Sequence, residues 1–472
     1  MKKNNILKVV LITICCVVLL TWLLPTGSFQ SELAIGDRAQ IGLFDLFSYP
    51  TIALQYFFQV LLYLLAIGGF YGIVSKTGVY RRLLDKIVDC FKGRENIFII
   101  IVSVCFALLA SCVGMTYTLI FLFPFVIAIL LLMGYDKFLA ATVTVGSAIV
   151  GIMGSLFSTD VTYYVQSYFN VGIGDEVLTK IIILVIGLLL LLFNALNYAK
   201  NNKVKKIDEE NISKYVPEKI VTRGKKKEKD RKVWPLVLVT DLTLLIIALA
   251  TFAWKNIFKL EIFAKATNAV KEFKVFGFPL FGKLLGNVTG FGEWTTATVV
   301  TLLVVATIIL GIVYKVGIDE FFDGYKKGLK KALYPGLIVV LIYTVLVATT
   351  YHPFQLVIYK ALLNIGHGFN VITTAITAFV AGVFNVEFLY SVNSVGPYFV
   401  SLVTDTSVYP LVGIIFQGMY AVAMLVAPTS AILMVTLAYL DIPYGKWLKH
   451  IWKFLLELVV VLFVIFTIVM LV

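Results

Sequence analysis

Apolar runs close to 20 residues long recur from one end of this chain to the other. They lie at about 7–24, 51–74, 138–157, 178–198, 234–254, 295–314, 332–350, 409–427 and 452–472. A helix rises ~1.5 Å per residue, so about 20 apolar residues match the roughly 30 Å hydrocarbon core of a bilayer. Lipid offers no partner to a backbone N–H or C=O, so a spanning run must pair them within itself as a helix. Only 14% of the 472 residues are charged, against about 25% in soluble domains. The expected fold is an all-α polytopic membrane protein with about nine transmembrane helices.

Charge orients the runs, because Lys and Arg gather in cytoplasmic loops. Lys2, Lys3 and Lys8 put the N-terminus inside. The first run is longer than a secretory signal core and no small-residue cleavage site follows, so it reads as an uncleaved helix. The loop Lys200–Lys232, with 13 Lys/Arg against 6 Asp/Glu, KKGLKK at Lys326–Lys331 and PYGKWLKHIWK near the end are also inside. The C-terminus then falls outside the plasma (cell) membrane. The chain divides into a first membrane repeat (1–199), a basic cytoplasmic linker (200–232) and a second repeat (233–472). These loops account for the net charge of +13, and no nucleic-acid partner is expected.

Two regions must begin and end on one side of the membrane. The first, 97–134, is interrupted by SCVGMTYT (Ser111–Thr118); the second, 371–404, by YSVNSVGP (Tyr390–Pro397). Residues 97–110 give only about 21 Å of helix. Two full crossings of 97–134, with GMTYT as an outside turn, would also satisfy the charges, but the short arms favour re-entrant hairpins, one opening inward and one outward, in an inverted-topology repeat. Such repeats hold substrate where helices stop and restart.

Each half has a second break, at Gly154–Asp160 and Pro428–Ser430. Half-helix N-termini carry partial positive charge and suit a carboxylate, whereas unwound carbonyls suit Na⁺ or H⁺-linked chemistry. The expected substrate or ion ligands are Ser111, Gly114, Thr116, Thr118, Ser158, Thr159, Asn393, Ser394, Thr429 and Ser430, with Asn393 and Thr429 foremost. Small polar residues often only pack membrane helices, but four breaks in matching positions favour binding by the group. Glu387 and Asp160 are the candidate coupling carboxylates, since an ionised side chain inside a membrane is costly; Glu387 reads equally as a residue near the outer surface, in contact with water.

Other chemistry finds less support. The five cysteines lack metal spacing and read as packing residues. His352 and His367 fall in an outside segment and read as exposed; His450, among inside basic residues, reads as an interfacial anchor. Asp136 and Asp175 fall on opposite sides of the membrane, so they form no acid dyad. Metalloprotease, serine-hydrolase and Walker A motifs are absent. No enzyme, cofactor or resident metal is expected; the rivals are an acyltransferase-type enzyme using His352 or His367, or a structural membrane protein.

LTWLLPTGSF near the N-terminus, IGGFYGIVSKTG at 67–78, FPFVIAILLLMGYD at 123–136, PTSAILM at 428–434 and IPYGKW at 442–447 resemble, in order, the C4-dicarboxylate anaerobic carrier family. Within it they are similar to the YfcC-like basic amino acid antiporter branch of the ion transporter superfamily. That resemblance implies a dimeric secondary carrier with a scaffold and a mobile part, working by an elevator-like motion. It implies amino acid transport of the arginine/ornithine exchange type, or alternatively transport of a C4-dicarboxylate or short-chain fatty acid. Thr116-Tyr117-Thr118 stands where the family often has acidic residues, and Ser158-Thr159-Asp160 where Asn-Pro is expected, which suits a less charged ligand.

Overall fold

Helices account for nearly all regular structure in the chain. The computed structural model describes residues 5–29, 33–172, 174–204, 212–217, 231–366 and 368–471, with the backbone alone at Leu33, Thr159 and Asp160. Helix α1 (Asn5–Leu23) leads to a two-stranded antiparallel ribbon, β1 (Gly27–Phe29) with β2 (Leu33–Ile35). Next come α2 (Leu43–Lys76), kinked at Phe57, and the short α3 (Tyr80–Cys90). A helical hairpin follows: α4 (Glu95–Leu108) runs on through a π turn to Val113, and a 3₁₀ turn (Tyr117–Leu122) opens α5 (Phe123–Leu132). Helix α6 (Lys137–Met153) is capped by Asp136, whose carboxylate accepts from the Leu139 N–H. It breaks and resumes as a π turn (Thr159–Tyr163) leading into α7 (Tyr164–Phe169); α8 (Val177–Asn202) closes this half.

Helix α9 (Trp234–Thr251) is followed by an arm of three short helices, α10 (Trp254–Phe258), α11 (Ile262–Glu272) and α12 (Leu280–Leu285). Helix α13 (Thr296–Val313) then precedes α14 (Ile318–Tyr351) and α15 (Gln355–Ile365). A second hairpin consists of α16 (Val371–Phe384) and α17 (Phe388–Leu402); α16 starts at Asn370, whose side chain caps Ile372 and Thr373. The last elements are α18 (Tyr409–Val426), α19 (Ala431–Leu440) and α20 (Tyr444–Leu471). The element order therefore recurs. Helices α2 and α14 each have 34 residues and an internal proline, and each precedes an 11-residue helix. In both halves a hairpin, a broken helix and an unbroken helix follow.

Among the described residues nine helices are long and apolar enough to cross a membrane. The membership differs from the sequence reading. Glu95–Val113 qualifies, because the π turn lengthens the first hairpin arm beyond the expected 97–110; α6 falls just below the length of a spanning helix. Helix α14 also starts 14 residues earlier than the expected run at 332, taking the KKGLKK segment into its first half.

Burial separates centre from rim. In α6 every residue from Leu139 to Met153 is buried, and so is almost all of α18 and α19. Outer helices keep apolar side chains exposed at helical spacing, such as Leu456, Val460, Val464 and Ile468 on α20. Water would penalise that stripe and lipid would not. The tightest crossing joins α2 and α14. A Cβ added to Gly72 would lie 2.3 Å from the Gly324 carbonyl oxygen, and one on Gly328 only 2.0 Å from that of Gly68. Glycines spaced by four on both helices let the backbones meet, as small-residue motifs do in membranes.

Candidate functional site at the helix breaks

In the first half the hairpin tip and the broken helix hold each other. Gly114 takes a left-handed conformation, φ 78°, which ends the π turn and reverses the chain. Ser111 Oγ donates to the Gly154 carbonyl at 2.7 Å, and the Ser111 carbonyl accepts the N–H groups of Leu156 and Phe157. A Cβ on Gly114 would lie 3.1 Å from Ser158 Cα and Oγ, so the two breaks are in contact. Tyr63 and Tyr71 of α2 donate to the carbonyls of Thr118 and Phe121, both at 2.8 Å.

The second half repeats the arrangement with other residues. The chain is extended at Asn385 and Glu387 between α16 and α17, and turns at Ala427–Ser430 between α18 and α19, where the Ser430 N–H donates to the Ala427 carbonyl at 3.0 Å. Thr429 Oγ1 donates to the Val383 carbonyl at 2.6 Å, and the Tyr420 hydroxyl to that of Val386 at 3.1 Å. Helix α20 covers the freed carbonyls of α18: Trp447 Nε1 donates to Leu425 at 2.9 Å and the Tyr444 hydroxyl to Val426.

Two side chains join the halves. Gln417 Nε2, from α18, donates to the carbonyls of Met153 (2.9 Å) and Ser155 (3.1 Å) at the first-half break. The Tyr343 hydroxyl, from α14, donates to Glu387 Oε1 at 2.5 Å and has the Tyr117 hydroxyl of the first hairpin tip beside it. The Tyr343 ring stacks on Phe57, at the kink of α2, with centroids 4.1 Å apart. All four breaks thus belong to one connected region.

The donors of this region are only partly used. Thr116, Ser158 and Ser430 occupy N-cap positions, yet none makes the side-chain cap bond that Ser and Thr usually supply there. The buried hydroxyls of Thr118, Ser155, Ser158 and Ser430 find no hydrogen-bond partner among the described residues. The four break segments contain no Lys or Arg. Among the described residues no group of three or more His, Cys, Asp or Glu side chains stands ready for a metal. The region offers N–H and O–H donors and one described carboxylate, Glu387.

The family model of the C4-dicarboxylate anaerobic carrier matches residues 4–472. The chain belongs to this family. It is a multi-pass membrane protein with an apolar rim and broken central helices. An uncharacterized protein of Haemophilus influenzae is 29% identical over 102 residues, 21% of this chain and 19% of the relative. The chain thus matches about a fifth of that relative's length. The crystal structure of the Alcanivorax borkumensis YdaH transporter resembles it with a TM-score of 0.42 at 12% identity, covering 97% of each chain.

The expected site residues divide. Ser111, Gly114, Thr116, Thr118, Ser158, Thr429 and Ser430 lie at the breaks, while the side chains of Thr159 and Asp160 fall outside the described residues. The second hairpin is corrected: its turn is at Asn385–Glu387, and YSVNSVGP lies within α17. There Ser394 donates to the Ser391 carbonyl and Asn393 is exposed, so neither stands at a break. Serines bonded back to their own helix satisfy themselves without breaking it. Gln417 and Tyr343 were missed; a lone Gln and a Tyr inside apolar runs are the signals that could have found them.

Two further readings change. Cys15, Cys16, Cys90 and Cys105 are exposed on the outer surface rather than packed inside. His352 is half-buried: Nε2 meets the Tyr49 hydroxyl at 2.5 Å and Nδ1 the Ala39 carbonyl at 2.6 Å, leaving neither nitrogen for catalysis. His450 is half-buried, bonded to Thr142 at 2.9 Å and edge-on to Tyr198. His367 lies outside the described residues.

Proposed function

We propose that this carrier is a secondary active transporter for a small carboxylate-bearing metabolite, bound among the four breaks. The observation that carries the reading is the set of N-cap residues Thr116, Ser158 and Ser430, which leave their helix N–H groups uncapped. Uncapped N-termini suit a carboxylate. Glu387 gives the opposite charge, and an amino acid carries both groups; exchange of the arginine/ornithine type is the first reading. A C4-dicarboxylate is the second, favoured by the description of the family itself. Coupling to Na⁺ or H⁺ would use the carbonyls of the break segments or the Glu387 carboxylate.

The recurring element order supports two inverted repeats (1–199 and 233–472) on either side of the cytoplasmic linker (200–232), with both hairpins re-entrant. The glycine-packed α2–α14 pair serves as scaffold, and the hairpins with the broken helices as the part that moves in an elevator-like cycle. The working unit is a dimer in the plasma membrane, with the N-terminus cytoplasmic and the C-terminus extracellular. Counterflow in proteoliposomes loaded with arginine or with succinate tests the reading. One of the two should exchange, and Thr429→Val with Ser430→Ala should abolish it. Exchange of neither, or exchange untouched by the double variant, overturns it.

A further inference from the structure

Away from the breaks, a cavity of about 220 Å³ lies between the α2–α14 pair and the facing sides of α5 and α19. Its depth is apolar, walled by Leu64, Ile67, Ile120, Phe123, Ile127 and Val435. Its rim carries four lysines: Lys76, Lys214, Lys327 and Lys331. Lys76 and Lys327 share Asp323, each at 3.0 Å, and Lys214 meets Asp441 at 2.5 Å. Lys331 donates to the Lys214 carbonyl at 2.9 Å and meets no carboxylate among the described residues. Among the described residues the rim therefore holds four ammonium groups against two carboxylates.

The wall is completed by the linker. Residues 212–217 tuck against the membrane helices; Tyr215 is buried, packs on Tyr439 and accepts from Lys137 Nζ at 3.0 Å. Burial and the nearby Asp441 carboxylate push the Tyr215 phenol up, so it stays neutral. Tyr80 also lines the cavity. It is only 4% exposed, and its hydroxyl has no hydrogen-bond partner among the described residues. A buried donor without a partner, beside surplus positive charge and above an apolar shaft, describes the complement of one kind of molecule.

We propose that this cavity binds an amphipathic monoanion, a single straight alkyl chain of medium length ending in a carboxylate. The tail fills the apolar shaft, and the head lies at the rim against Lys331 and the Tyr80 hydroxyl. The volume equals about seven waters at ~30 Å³ each, so it takes a tail of roughly that many methylenes. A two-tailed phospholipid is too large to enter it whole. Because α2 and α14 form one side and α5 and α19 the other, an occupant ties the two groups of helices together. This site is separate from the breaks, and its occupancy does not depend on which substrate is carried.

The test uses the full chain in phosphatidylcholine nanodiscs, read by thermal unfolding against octanoate, hexanoate, octanol and acetate. Octanoate is expected to raise the melting temperature saturably. Each methylene removed should weaken binding about fourfold, so hexanoate should be roughly sixteenfold weaker. Octanol and acetate, each lacking one feature, should do little. Lys331→Gln should weaken octanoate at least tenfold with the ligand-free melting temperature kept, and Val435→Trp should fill the shaft and abolish binding. Octanol matching octanoate, or undiminished octanoate binding in Lys331→Gln, overturns the proposal whatever Val435→Trp does. So does stabilisation by phosphatidylglycerol in the nanodisc with none from octanoate, which would assign the cavity to a lipid headgroup.

Discussion

Gln417 shows how much one side chain can carry when backbone is left unpaired away from water. It serves two carbonyls at once, those of Met153 and Ser155, from a helix more than 260 residues further along the chain. Gln417→Ala should strand both and cost about 1–3 kcal/mol for each buried acceptor, seen as a lower melting temperature in detergent or nanodiscs. Glu387 separates structure from transport. Glu387→Gln keeps an oxygen for the Tyr343 hydroxyl, so stability should change little while uptake falls to background. A variant that melts normally and still transports would show the carboxylate to be dispensable. Of the residues expected from sequence, the small polar ones beside Gly114, Gly154 and Pro428 were legible because Gly and Pro mark interruptions directly. Gln417 and Tyr343 were not, because their partners are backbone groups and a carboxylate brought near only by the fold.

Elements were legible in proportion to how sharply apolar sequence begins and ends. Helices α9, α13 and α18 fall within a few residues of the expected runs. Helices α2 and α14 outrun theirs, since amphipathic turns extend a helix past the apolar core and composition does not mark where they end. The second hairpin was misplaced because YSVNSVGP reads as polar, yet as helix it turns Ser391, Val392, Val395 and Gly396 inward and Asn393 outward. The glycine crossing also escaped notice, though both Gly-x-x-x-Gly spacings are present at 68–72 and 324–328. Gly328→Leu should force the helices apart and cost at least the ~1–3 kcal/mol typical of overpacking. Gly445→Ala, with open space around its Cβ position, should leave the melting temperature unchanged and is the control.

At the scale of the whole molecule, the topology rests on charge, and charge can be checked from either face of the membrane. In a cysteine-free background, Phe276→Cys, at a fully exposed site in the arm between α9 and α13, should react with an impermeant maleimide on intact cells. Lys330→Cys should react only after permeabilisation. The reverse pattern would invert the proposed orientation. That arm also reaches the first-half break, where Phe258 and Phe157 lie with ring centroids 5.5 Å apart. Sequence made the polytopic class plain because lipid leaves the backbone so few choices. It left the cross-half contacts dark, because topology says which side a segment emerges on and nothing about which segments touch.

The crossing of α2 and α14 has a mechanical consequence. Where a carbonyl oxygen of one helix rests against the α-carbon of the other, no layer of side chains remains to slide or change rotamer. Packed matter of that density transmits displacement rather than absorbing it. The two longest rods of the protein are therefore obliged to travel as a single girder, and whatever slack the molecule possesses must be found along its borders with everything else.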